Sequence, residues 1–96
     1  MEQIERITYM EQILDEATEV VSSLSEALEK FSAIQDKLQE LSAYYSSDQW
    51  RQDFDDDSAG KIPTGLKRGV LSEDAVYNLL ADITDLKKQL KELANQ

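Results

Sequence analysis

Apolar residues recur along the first half of the chain at Ile4, Ile7, Met10, Leu14, Ala17, Val21, Leu24, Leu28, Phe31, Ile34, Leu38, Leu41 and Tyr45, with neither Gly nor Pro between them. After Ile4 the steps alternate three and four, the heptad rhythm of a helix face packed against another helix. This predicts one long helix over residues 2–45. The rhythm slips once, between Phe31 and Ile34, where the regular step would land on the polar Gln35. A local overwinding or a change of packing partner is expected there. A further column of Ile13, Val20 and Ala27 widens the N-terminal stripe beyond a narrow two-helix seam. At 1.5 Å rise per residue the helix would be roughly 60 Å long, too long for a chain of this size to cover by itself.

Ser46, Ser47 and Asp48 interrupt the pattern, because short polar side chains compete with helix interiors and favour caps. Ser47 or Asp48 is placed to cap a short helix over Asp48–Asp55, with Trp50 and Phe54 one turn apart on one face and Arg51 and Asp55 paired on another. The Asp55-Asp56-Asp57 run and the Ser58, Ala59 and Gly60 that follow are expected to stop it. The loop Gly60-Lys-Ile-Pro63-Thr-Gly65-Leu-Lys-Arg-Gly69 holds every Gly and the one Pro of the chain. A start signal follows: Ser72 as N-cap, Glu73 and Asp74 at the positive helix end, and Leu71 set to staple onto Val76. The final helix, residues 72–93, carries Val76, Leu79, Leu80, Ile83, Leu86, Leu90 and Leu93 in the same three-four rhythm.

The predicted fold is all-α: a single helical domain in which the long helix and the shorter C-terminal helix form an antiparallel, coiled-coil-like hairpin, joined by a long structured connection over residues 46–71. In that arrangement Lys87, Lys88 and Lys91 come near Glu26 and Glu29. The C-terminal helix, about 33 Å long, covers only half of the first. The exposed remainder (Ile4, Ile7, Met10, Ile13, Leu14 and Val20) predicts self-association, with a homodimer as the simplest outcome. The same face could instead receive a different protein or the folded-back connection.

Composition narrows the chemistry. The 96 residues include no Cys and no His, which removes disulfides, thiolate nucleophiles, Cys/His zinc sites and imidazole bases together. The start Met1-Glu2-Gln3 lacks a basic patch followed by an apolar core, and no apolar run approaches a membrane span, so a soluble cytoplasmic protein is expected. The net charge is −10, and up to Glu29 only Arg6 offsets the acids, a surface that repels nucleic acid. Such a face either keeps a sticky helix soluble or docks a basic partner.

No catalytic constellation emerges. Asp53, Asp55 and Asp57 have the opening spacing of a calcium loop, but Ser58 stands where a Gly is needed and Thr64 where a Glu would close the site. Gly60, Gly65 and Gly69 do not build a phosphate loop. No metal and no cofactor is expected. The connection is longer than a helical hairpin requires, and it concentrates Tyr44, Tyr45, Trp50, Phe54, Leu66, Lys67, Arg68 and Gly69. These residues either cap the open end of the hairpin, with Lys67 and Arg68 neutralising the Asp run, or bind a heterologous partner. Gly69 is expected to matter for geometry, by letting the chain turn into Ser72.

The segments Tyr44-Tyr-Ser-Ser-Asp-Gln-Trp-Arg-Gln-Asp-Phe54 and Leu66-Lys-Arg-Gly-Val-Leu-Ser-Glu-Asp-Ala-Val-Tyr-Asn-Leu-Leu80, behind a helix opening Glu5-Arg-Ile-Thr-Tyr-Met10, resemble the small bacterial proteins catalogued as domain of unknown function 4298. The resemblance implies a bacterial cytoplasmic protein and assigns no catalytic residue. The functional expectation is therefore a non-enzymatic helical interaction or adaptor protein. The alternative is a small ligand-binding or hydrolase-like protein using carboxylates of the connection.

Overall fold

The structure, a computed structural model, describes residues 2–96. It is all-α, with four helices and one 3-10 turn among the described residues: α1 (Gln3–Ala33), α2 (Gln35–Tyr45), α3 (Asp48–Ser58), the turn Gly69–Leu71, and α4 (Ala75–Ala94). The chain divides into two compact units, Met1–Asp36 and Lys37–Gln96.

The first unit is dominated by α1. Glu2, in extended conformation, precedes it without a side-chain cap, and its carbonyl accepts the Arg6 N–H at 2.8 Å. Glu5 in the first turn and Lys30 in the last complement the helix dipole. Lys30 also pairs with Glu26 at 3.4 Å, fully out in solvent, where such a pair contributes only a few tenths of a kcal/mol. No residue of α1 is buried, and from Ile4 to Leu28 its large apolar side chains are exposed by 41% at Leu28 up to 69% at Ile4, with Phe31 half-buried.

The helix expected to run unbroken to Tyr45 is interrupted at Ile34, where the apolar rhythm slips. Ile34 has φ −92° and ψ 0°, a tighter turn than the usual helical ψ, and its N–H bonds to Lys30 O at 3.2 Å. Gln35 compensates by donating from Nε2 to Phe31 O at 3.0 Å. From Phe31 to Tyr45 the half-buried positions are Phe31, Gln35, Leu38, Leu41, Ser42, Tyr44 and Tyr45, whereas Ile34 is 43% exposed. At the slip burial thus moves to the polar Gln35 and Ile34 lies beside it, while Leu38, Leu41 and Tyr45 are half-buried as expected.

The second unit holds the small core. Ser47 caps α3 as expected, its hydroxyl accepting from Trp50 N at 3.2 Å. The helix passes Asp55 and ends at Ser58 because a glycine-based stop lies beyond. Gly60, at φ 75°, donates to Asp57 O at 3.0 Å, and Lys61 N donates to Asp56 O at 2.9 Å. This is the paired closure in which a left-handed residue satisfies the last helical carbonyls, and Gly adopts that conformation without steric cost.

The chain then turns at Pro63, whose carbonyl accepts from Leu66 N at 3.1 Å, and winds the 3-10 turn that packs against both α3 and α4. Ser72, extended, accepts from Ala75 N at 3.1 Å. It caps α4, although regular helix begins three residues later than expected. Leu71 and Val76, the predicted staple, are 7% and 4% exposed and are the buried residues of the core. Tyr45 Oη donates to Glu73 O at 3.0 Å, tying the end of α2 to the approach of α4. Leu38, Leu41 and Tyr45 on α2, and Val76, Leu80 and Ile83 on α4, are buried or half-buried in matching steps. Leu79, Leu86 and Leu93, seven residues apart on α4, stay exposed at 41%, 52% and 61%.

Candidate interaction site

Most residues singled out in the connection come together in the second unit. Trp50 is the centre: its ring lies 5.1 Å from Phe54, nearly parallel at 20°, and 5.1 Å from Tyr45, edge-on at 73°. Both geometries suit the quadrupoles of aromatic rings. The indole N–H donates to Val70 O at 2.9 Å, which fastens the loop to α3. Trp50 and Phe54 meet because they are four residues apart on one helix, as their spacing predicts.

Tyr44 points its hydroxyl to Asp53 Oδ2 at 2.6 Å, a short bond to an ionised acceptor. That bond, with partial burial and the negative charge of Asp53, pushes the phenol up to about 12 from 10.0. Tyr44 therefore stays protonated across the physiological range and acts as a donor. Arg68 Nη1 meets Asp57 Oδ1 at 2.8 Å, both side chains half-buried, and also approaches Ile62 O at 3.5 Å. Lys61 lies 3.9 Å from Asp56. Arg68 thus neutralises Asp57 and Lys61 neutralises Asp56, while Asp55 makes no ion pair among the described residues and the expected Arg51–Asp55 pair is not formed. Lys67 is exposed and makes no ion pair among the described residues.

Tyr44, Asp53, Ile62, Leu66, Lys67, Arg68, Val70 and Leu71 line a recess of about 280 Å³. Leu66, 57% exposed, and Lys67 stand at solvent. Gly69 does not have the geometric role expected of it. A Cβ added there meets nothing within 4 Å and its φ lies outside the left-handed region, so the turn into Ser72 does not depend on glycine. The Arg68–Asp57 pair is the neutralisation expected of Arg68, whereas the Asp53 and Val70 contributions are not visible in the sequence. Asp53 is nine positions from Tyr44 across a helix break, and the Val70 acceptor is a backbone carbonyl that no residue type advertises.

The six candidates for self-association, Ile4, Ile7, Met10, Ile13, Leu14 and Val20, all lie on α1 and are 43% to 69% exposed. No described helix is long and apolar enough to cross a membrane.

Fold and site together define a small all-α protein with a stapled aromatic cap and a long helix whose apolar stripe is open. The sequence profile of the family "Domain of unknown function (DUF4298)" matches residues 7–93, and the chain belongs to that family. No curated protein and no solved structure matches it.

Proposed function

We propose that the chain is a non-enzymatic helical protein–protein interaction or adaptor protein. The observation that carries this reading is the apolar stripe of α1, exposed from Ile4 to Leu28 with no buried residue along the helix. Contiguous apolar surface of that length is characteristic of interaction sites, since a monomer gains nothing from presenting it to water. A homodimer, or a distinct protein laid on the same stripe, is the expected occupant. A chain without cysteine suits a reducing cytoplasm.

Two surfaces can serve the role, the α1 stripe and the Leu66–Arg68 rim of the recess. Affinity capture with the tagged wild-type protein, with Leu14→Asp/Val21→Asp, and with Lys67→Glu/Arg68→Glu separates them. The reading predicts that one pair abolishes capture while helix content holds. Capture unaffected by either pair in a folded protein overturns it.

The alternative, a small ligand-binding or hydrolase-like protein, draws its support from the recess beside Asp53. Asp53 there already accepts from Tyr44. A saturable ligand-induced rise in melting temperature, lost in Asp53→Asn, would favour it over the interaction reading.

A further inference from the structure

The interaction reading leaves open what covers α1, and the positions of its charges answer that. Taking Ile7, Met10, Leu14, Ala17, Val21, Leu24, Leu28 and Phe31 as the seam, the acids Glu5, Asp15, Glu16, Glu19, Glu26 and Glu29 all fall on outer positions of the helix. The positions that flank the seam are Arg6, Ile13, Val20 and Ala27 on one side, and Glu11, Thr18, Ser25 and Ser32 on the other. Seven acids precede Lys30 on the helix, and only Glu11 borders the seam. A basic partner helix would find almost no acid at the seam edge to pair with. A second acidic copy meets almost no repulsion.

The two charged flanking residues are opposite in sign and five residues apart. Five is the spacing that brings a flanking residue of one helix to the following flank of a parallel, in-register neighbour. Within one helix the same spacing puts them on different faces, and neither makes an ion pair among the described residues. In a parallel pair Arg6 of each copy meets Glu11 of the other, twice by symmetry. The remaining flank pairs are Ile13 with Thr18, Val20 with Ser25 and Ala27 with Ser32, none of them charged. An antiparallel pair sets like flanks together and leaves Arg6 and Glu11 without each other.

We propose, resting on the interaction reading, that the occupant of the α1 stripe is α1 of a second copy, parallel and in register, with reciprocal Arg6–Glu11 pairs selecting that orientation. The seam from Ile7 to Phe31 is about 37 Å long and holds about three and a half heptads, the length at which such pairing sustains itself.

The chain has no Cys, so a single introduced thiol reports orientation cleanly. Gln3 lies one step before Ile7 on the seam, and Met10 lies within it. Gln3→Cys and, separately, Met10→Cys are oxidised in dilute solution and run without reductant. Sedimentation equilibrium is measured in parallel for wild type, Arg6→Glu, Glu11→Arg and the double reversal, with helix content checked by circular dichroism. The expected result is near-complete disulfide dimer for both thiol variants. Each single reversal should weaken the dimer about tenfold, from two exposed pairs made repulsive, and the double reversal should recover wild-type affinity. A dimer that does not cross-link, or that the double reversal fails to restore, overturns the parallel pairing. A wild-type monomer overturns the second copy as occupant. The interaction reading then stands or falls separately, on whether Leu14→Asp/Val21→Asp still captures a partner.

Discussion

α1 and the cap built around Trp50 draw on similar apolar and acidic residues, yet one leaves them open and the other ties nearly every polar handle down. Along α1 the polar groups are solvated, and the side-chain bonds are local ones such as Thr18 to Leu14 O at 2.7 Å. In the cap, Tyr44, Tyr45, Trp50 and Arg68 each reach a partner distant in sequence, namely Asp53, Glu73, Val70 and Asp57. A buried or half-buried polar group without a partner costs more than a satisfied one contributes, so these bonds fix one arrangement of the cap. α1 has no such constraint. Its fold is specified by local periodicity, and its exposed stripe remains free for another chain.

The contrast can be broken most forcefully at Trp50. Trp50→Ala should destabilise the second unit by about 3 to 5 kcal/mol, through lost packing and the lost bond to Val70. Leu14→Ala should cost under about 0.5 kcal/mol in protein dilute enough to be monomeric, because no packing is lost and Ala suits a helix. Thermal melts followed by far-ultraviolet circular dichroism at low concentration check both. A Leu14→Ala loss as large as that of Trp50→Ala would mean that α1 is as tightly held as the cap.

Tyr44→Phe should cost about 1 to 2 kcal/mol, since Asp53 loses a charge-assisted donor. The effect carries a pH signature. The folded-state phenol is raised to about 12 from 10.0, so the folded protein holds that proton more tightly than the unfolded chain does. The stabilisation is present in full below about pH 10 and is lost as pH rises toward 12. Denaturation midpoints of wild type and Tyr44→Phe should therefore converge over that window. Tyrosinate absorbance of the wild type should show one of the four tyrosines ionising late.

The smallest effects separate two glycines. Gly60→Ala should cost about 1 kcal/mol, because a side chain is strained at φ 75°. Gly69→Ala should be neutral within about 0.5 kcal/mol, with open space around the added methyl. Chemical denaturation of the two variants side by side checks the difference.

Local signals were the legible ones. The caps at Ser47 and Ser72 and the Leu71–Val76 staple follow from short-range chemistry, and each is present in the fold. The apolar pattern misleads at one step beyond Phe31, for a physical reason. Following apolar residues leads to Ile34, whereas burial follows Gln35, whose amide is satisfied by Phe31 O and so tolerates partial burial. The Tyr44–Asp53 and Trp50–Val70 bonds depend on how a loop folds back, which residue spacing does not encode. Residue type alone suggests a turn role for Gly69, and its backbone does not call for glycine.

The position of the single tryptophan has an optical consequence. Trp50 is the only indole in the chain, held against two rings and hydrogen-bonded to the loop, while the one aromatic on α1 short of Phe31 is Tyr9. Emission excited at the red edge of the absorption band will therefore follow the grip of the loop on α3 and ignore the long helix, whereas ellipticity reports every helix, α1 included. Recorded on one sample, the two signals separate loosening of the cap from fraying of the stripe without any added label.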